Sequence, residues 1–200
     1  MNPLNTIKGT LIAGLVLAIV IGLVTFGVQL NELSLLVWLH VFAGVIWIGM
    51  LYYFNFVQVP ALAAAAKDQG GPGGAGVSKY VAPRALLWFR WGAVATWLTG
   101  AIVLERTNMF VDAFTLGMRQ NAPATAVFIG VGAWLGTIML FNVWVLIWPN
   151  QKKVLGLVEA TADQIAKARR VAFLASRTNT MLSIPMLMSM VSYGHGGFFV

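Results

Sequence analysis

Residues 10–30 read TLIAGLVLAIVIGLVTFGVQL, an apolar run that contains no charged side chain. A helix needs about 20 such residues to cross the hydrocarbon core of a bilayer, and it satisfies its own backbone polar groups while it does so. A second apolar run, residues 33–59, follows almost at once, since only Asn31 and Glu32 clearly separate the two. These stretches predict a tight hairpin of two membrane-spanning helices.

The composition of the whole chain agrees with a membrane protein. Of its 200 residues, 59% are hydrophobic and 10% are charged, whereas a soluble domain carries about 25% charged residues. The net charge of +7 does not indicate nucleic-acid binding, because the basic residues flank the apolar runs as topology signals do. There is no cysteine, which excludes disulfides, thiolate metal sites and a covalently attached c-type haem.

The remaining apolar runs complete an all-α, polytopic transmembrane bundle of about five spans, which we expect to form one domain over residues 1–200. Pro60 and Pro149 are expected to end the second and fourth spans. A flexible glycine-rich loop is expected over residues 61–79. The predicted spans are residues 10–30, 33–59, 85–104, 124–148 and 171–193.

Charge in the loops predicts the orientation of the bundle. The loops at residues 61–84 and 150–170 are basic, and the alternate loops are nearly neutral. Because basic loops stay in the cytoplasm, we expect the N-terminus to be cytoplasmic and the C-terminus to be periplasmic. The bilayer is then the first partner of the chain.

The two histidines are predicted to lie in the outer half of the membrane. His40 is inside the second span, and His195 follows the fifth within Tyr-Gly-His-Gly-Gly. An ionisable residue inside a span is costly and indicates function. Both are candidate metal ligands, most simply the axial ligands of a haem b. Pairing them requires the fifth span to shift outward, so that His195 sinks towards the depth of His40.

The surroundings of His40 support two interpretations. Gly44 and Trp47 share its helical face, and a glycine beside a large aromatic residue makes room for a flat cofactor ring. The same glycine also serves ordinary helix packing. His40 could equally be a packing histidine, and His195 a solvated residue of the C-terminal tail.

A second polar group is predicted in the inner half of the membrane. Arg90, Arg177 and Asn179 are candidates to bind an anion or a planar polar molecule from the cytoplasm, since a guanidinium suits both. Snorkelling of the arginines to the lipid headgroups is the alternative. The methionines of the fifth span add copper as a further option, with His195 as the helper, although such a stripe also serves packing.

Four short motifs appear together in the order typical of one family. They are His40-x6-Trp47-x-Gly49, Trp88-Phe-Arg90-Trp-Gly, Asn142-Val-Trp-x3-Trp148-Pro149-Asn-Gln-Lys152 and Ser176-Arg177-Thr-Asn179-x3-Ser183-x-Pro185-Met186. From about residue 33 to residue 198 the chain resembles the membrane-bound urate oxidase N-terminal family, the integral-membrane part of a bacterial urate-oxidising protein. The first motif also resembles helices of the membrane protoporphyrinogen oxidases and of the copper-resistance D proteins.

The resemblance implies an oxidoreductase of the bacterial inner membrane. Urate would bind near Arg90, Arg177 and Asn179, and electrons would pass to a haem b held by His40 and on to a periplasmic cytochrome c. The family's membrane part is often followed by a cytochrome c domain, which we expect to be missing here because the sequence lacks cysteine.

Two other functions stay open at this point. One is a non-catalytic membrane anchor or electron-transfer subunit of a larger respiratory complex. The other is a copper-binding or transport protein. In any of the three roles the chain could form a homo-oligomer.

Overall fold

The computed structural model describes residues 2–197, apart from the side chain of Phe26. Helices make up 80% of it and the described residues form no strand, which confirms the all-α prediction. The helices are α1 (Ile7–Phe26), α2 (Glu32–Tyr52), α3 (Val59–Ala65), α4 (Ala82–Arg106), α5 (Phe110–Phe114), α6 (Ala126–Phe141), α7 (Trp148–Val154) and α8 (Ala162–His195). The chain forms two compact units, Met1–Leu35 and Leu36–Val200.

The first unit is built around α1. The Thr6 side chain accepts a hydrogen bond from the backbone N–H of Gly9 and so caps the start of the helix. None of the described side chains in the stretch Ile7–Thr25 is buried. An apolar helix that exposes every face is compatible with a lipid environment.

Among the described residues, four helical stretches are long and apolar enough to cross a membrane, and they overlap the first four predicted spans. They are Ile7–Thr25, Glu32–Ala65, Val77–Arg106 and Ala126–Val154. The fifth predicted span lies within α8, a continuous helix of 34 residues that begins nine positions earlier than expected. The count of five spans and the sides on which the termini lie stay predictions.

Prolines do not end the second and fourth helices, so that expectation was wrong. The helix of Pro60 continues to Ala65, and the helix of Pro149 continues to Val154. Each proline is the second residue after a π-helical segment, Tyr53–Gln58 in one case and Asn142–Ile147 in the other. A proline ring clashes with the carbonyl four residues back in an α-helix, and a widened turn before the ring relieves that clash.

The same arrangement occurs a third time. A π-helical segment at Val77–Val81 precedes Pro83 near the start of α4. The loop predicted over residues 61–79 is therefore helical at both of its ends, and only its glycine-rich middle lacks helix.

The core of the second unit lies where α2, α4, α6 and α8 meet. Its most deeply buried large side chains are Trp47, Leu51, Phe89, Met139 and Val143. Helix α8 turns a partly polar side towards this core. Its buried residues include Asn179, Ser183, Ser189 and Ser192, so part of its polar surface faces protein.

Candidate functional site

His40 lies on α2 and contacts α4. Its Nδ1 atom is 2.8 Å from the backbone carbonyl oxygen of Thr96. A carbonyl can only accept, so Nδ1 carries the proton and donates it. The other ring nitrogen, Nε2, then has a free lone pair and makes no hydrogen bond with the described residues. This is the usual state of a metal-ligating histidine, whose second nitrogen is held by a carbonyl or a carboxylate.

Small residues on α4 allow the two helices to approach closely at this point. Gly92, Thr96 and Gly100 recur every four residues on α4. A Cβ atom on Gly100 would lie 2.8 Å from Cε1 of His40, and a Cβ atom on Gly92 would lie 3.3 Å from the backbone nitrogen of Trp47. The imidazole therefore occupies the space that a larger residue at position 100 would fill.

Gly44 and Trp47 also contact α4. A Cβ atom on Gly44 would meet the methyl group of Thr96 at 3.7 Å, an ordinary packing distance. Trp47 is 2% exposed, and its indole nitrogen has no partner among the described residues. Both contacts are those of helix packing, and a role for either residue beside a cofactor stays a prediction.

Replacing Gly100 tests the close contact with His40. Gly100→Ala should displace the imidazole, because a contact of 2.8 Å is shorter than real Cβ atoms tolerate. We expect a loss of about 1–3 kcal/mol in the free energy of unfolding, measured by denaturation in detergent. Gly49→Ala on α2 is the control, since nothing lies within 4 Å of its added Cβ atom. Equal effects of the two substitutions would contradict the account.

His195 lies at the end of α8 and is exposed. Its Nδ1 atom is 3.1 Å from the carbonyl oxygen of Val191, one turn earlier in the same helix. No hydrogen bond of the described residues joins it to His40. Within residues 2–197 no group of three or more His, Cys, Asp and Glu side chains could hold a metal. The pairing of the two histidines on one metal stays a prediction.

Asn179 is completely buried between α6 and α8. Its side-chain oxygen accepts a hydrogen bond from Nδ2 of Asn142 at 2.8 Å, and its own Nδ2 donates to the carbonyl oxygen of Met139 at 3.0 Å. Asn142 is the first residue of the π-helical segment that precedes α7. The Asn179 amide is thus engaged through both its oxygen and its nitrogen, and it ties the two helices together.

A similar polar connection joins the end of α2 to α8. Asn55 donates from Nδ2 to Oγ of Ser176 at 2.8 Å and to the carbonyl oxygen of Leu51 at 2.9 Å. The hydroxyl groups of Tyr52 and Ser183 are 3.0 Å apart. Buried polar groups that pair in this way fix the register of neighbouring helices.

The two arginines lie apart from this amide network. The guanidinium carbon of Arg90 is 3.9 Å from the centre of the Trp148 ring, and that of Arg177 is 5.3 Å from the ring of Phe173. Arg177 is exposed. It is two residues from Asn179 and therefore points away from it across α8. No hydrogen bond or ring contact of the described residues joins Arg90, Arg177 and Asn179 to one another, and their joint site stays a prediction.

A comparison with protein-family models matches residues 101–199 to the family described as urate oxidase N-terminal. The match covers 99 of the 200 residues, and this part of the chain is similar to the urate oxidase N-terminal family. The matched segment includes α6, α7 and α8, and with them Arg177, Asn179 and His195. His40 and Arg90 precede it. No curated protein and no solved structure matches the chain.

Sequence reasoning missed the partners that hold the candidate residues His40 and Arg90 in place. The carbonyl of Thr96 and the bare backbone of Gly100 position His40, and the ring of Trp148 positions Arg90. The four-residue spacing of Gly92, Thr96 and Gly100 is the one signal that could have revealed a close helix contact. Nothing in the sequence pairs Asn142 with Asn179.

Proposed function

We propose that the chain is a membrane-integral haem-b redox protein of the urate oxidase type. The observation that carries the proposal is the bond from Nδ1 of His40 to the Thr96 carbonyl, which leaves Nε2 as a ligand atom inside a membrane helix. A haem b supplies one-electron redox chemistry when it is bound, and the protein supplies its ligands and surroundings. The proposed location is the inner membrane of a bacterium.

The donor groups of the chain suit a haem iron. Both histidines hold Nδ1 against a backbone carbonyl, so both leave Nε2 available. In the proposal His40 and His195 would hold the haem iron, and Gly44 and Trp47 would lie beside the cofactor on α2. The indole nitrogen of Trp47, which has no partner among the described residues, offers a hydrogen-bond donor to a bound group.

The proposed substrate is urate, bound on the opposite side of the membrane from the histidines. Arg177 is the best-placed residue for it, because its guanidinium is exposed beside Phe173 and lies in the family-matched segment. An arginine beside an aromatic ring can both pair with and stack on a planar anion. Asn179, which is already hydrogen-bonded, positions α8 against α6 and would not touch the substrate.

Electrons leave the chain to a partner in this proposal. The sequence contains no cysteine, so it attaches no c-type haem of its own. A separate periplasmic cytochrome c is the proposed acceptor. Urate gives up two electrons in its oxidation, and each is passed on singly.

Anaerobic addition of urate to the purified, oxidised protein tests the proposal. We expect the α and β bands of reduced haem b to appear with urate and not with xanthine, at two haem equivalents for each urate oxidised. Arg177→Gln should lower the rate of reduction by about tenfold or more, since a neutral amide cannot pair with the anion. Lys153→Gln, which removes a positive charge on α7, is the control and should reduce normally.

A protein that binds haem and is reduced by dithionite but not by urate would contradict the urate-oxidising part of the proposal. It would favour an electron-transfer subunit of a larger complex. In that outcome the role of His40 would remain and the role of Arg177 would be withdrawn.

A further inference from the structure

A basic groove lies at the start of α4, beside α7 and the residues that follow it. The groove has a volume of about 450 Å³. The side chains that line it include Arg84, Arg90, Trp148, Leu87, Leu155 and Leu157. Arg84 and Arg90 lie within the first nine residues of α4, and Trp148 lies where α7 begins. The groove is therefore at the end of two membrane-length helices, where lipid headgroups are expected.

Positive charge converges on this groove without an acidic counterpart. The guanidinium of Arg90 stacks on Trp148 at 3.9 Å, and Nζ of Lys152 is 6.0 Å from the centre of the same ring. Arg84 donates to the carbonyl oxygen of Tyr80 through Nη1, which fixes its guanidinium beside the groove. No acidic residue lines the groove, and no salt bridge of the described residues involves these three cations.

The arrangement of the positively charged side chains around the groove suits a phosphate group. Two arginines that are each held by another contact lose little freedom when they bind an anion, and a guanidinium pairs well with phosphate oxygens. Like charges gathered around one ring repel each other, so an anion between them is stabilising.

The exposed leucines beside the arginines favour a lipid over a soluble anion as the ligand. Leu87 and Leu157 are exposed beside the arginines, and an aqueous phosphate gains nothing from them. An acyl chain covers such side chains while its headgroup lies against the cations.

We propose that this groove binds the headgroup phosphate of an anionic phospholipid. The lipid covers Leu87 and Leu157 with its acyl chains and holds α7 against α4. The site involves neither histidine, so it is independent of the redox proposal. It also gives Arg90 a role distinct from that of Arg177.

Lipid retention by the purified 200-residue chain tests this inference. Wild-type protein and Arg84→Gln/Arg90→Gln are exchanged into detergent with phosphatidylglycerol or phosphatidylcholine, and bound lipid is counted by native mass spectrometry. We expect wild type to retain phosphatidylglycerol preferentially, and the double variant to retain about tenfold less, as its two cations are lost. Lys67→Gln/Lys79→Gln removes the same charge outside the groove and should retain lipid as wild type does.

A second variant and a second ligand complete the experiment. If the double variant does not fold by circular dichroism, Arg84→Gln alone is used, because Arg84 is exposed. Inorganic phosphate is tested for its effect on thermal stability. Equal lipid retention by the groove variant and wild type would overturn the inference. So would stabilisation by inorganic phosphate that equals stabilisation by phosphatidylglycerol.

Discussion

Replacement of His40 by alanine should abolish the Soret absorption of the purified protein. The change removes Nε2, the ligand atom that the bond to Thr96 leaves free. The only other described histidine, His195, is the exposed last residue of α8. We therefore expect haem content to fall by at least about tenfold, since the loss of a residue that merely supports a metal ligand already costs about 10–100-fold. The ratio of haem absorbance to protein measures the effect.

Two controls accompany this prediction. Leu39→Ala changes the neighbouring exposed residue and should leave haem content unchanged. His195→Ala should convert a six-coordinate, low-spin spectrum to a five-coordinate one if His195 is the second ligand. Full haem content in His40→Ala, with an unchanged spectrum, would show that the ligand is elsewhere.

Replacement of Asn179 by leucine should give the largest loss of stability among single substitutions in α8. It leaves the side-chain amide of Asn142 without its partner at a buried site, and it removes one of the two donors to the Met139 carbonyl, which also accepts from the backbone N–H of Asn142. Each unsatisfied buried group costs about 1–3 kcal/mol, and we expect a total of about 2–4 kcal/mol. Thermal or denaturant unfolding of the protein in detergent measures it.

The matched control for that prediction is Thr178→Leu, one residue away and exposed. It should change stability little. Asn142→Leu/Asn179→Leu should cost less than the sum of the two single changes, because it removes both members of the pair. Additive costs would mean that the two amides do not interact.

The membrane helices were predictable because their signal is carried by whole stretches of residues. A run of about twenty apolar residues satisfies its backbone hydrogen bonds within lipid by forming a helix. Four predicted spans overlap membrane-length helices of the described residues. The ends of the helices were less predictable. Pro60 and Pro149 were expected to stop helices, and the π-helical segments before them let the helices continue.

Helix α8 shows a case in which mean hydropathy is a poor predictor of a membrane span. A hydropathy value averaged over a window of residues assumes that every face of the helix contacts lipid. In α8 the polar residues Asn179 and Ser183 are buried against protein, so their cost is met by hydrogen bonds that the sequence does not display. The sequence predicted a span at residues 171–193. The helix that contains it, α8, is not among the four described stretches whose length and hydropathy suit a membrane span.

The sequence predicted which residues are candidates for the site, but it did not predict which of them contact each other. The expense of a histidine in a span singled out His40, but its bond to Thr96 depends on how α2 crosses α4. The same expense singled out Arg90 and Arg177 together, although one stacks on Trp148 and the other lies beside Phe173. Which residues meet is set by helix rotation and register, and a single sequence does not encode these in local patterns.

The haem and copper content of the purified wild-type protein tests the central claim most directly. Acid–acetone extraction releases haem b, which is quantified by its pyridine complex, and metals are measured on the same sample by mass spectrometry. We predict haem b bound to the chain, iron in equal amount and no stoichiometric copper. A colourless protein, or one that carries copper in place of iron, would contradict the account.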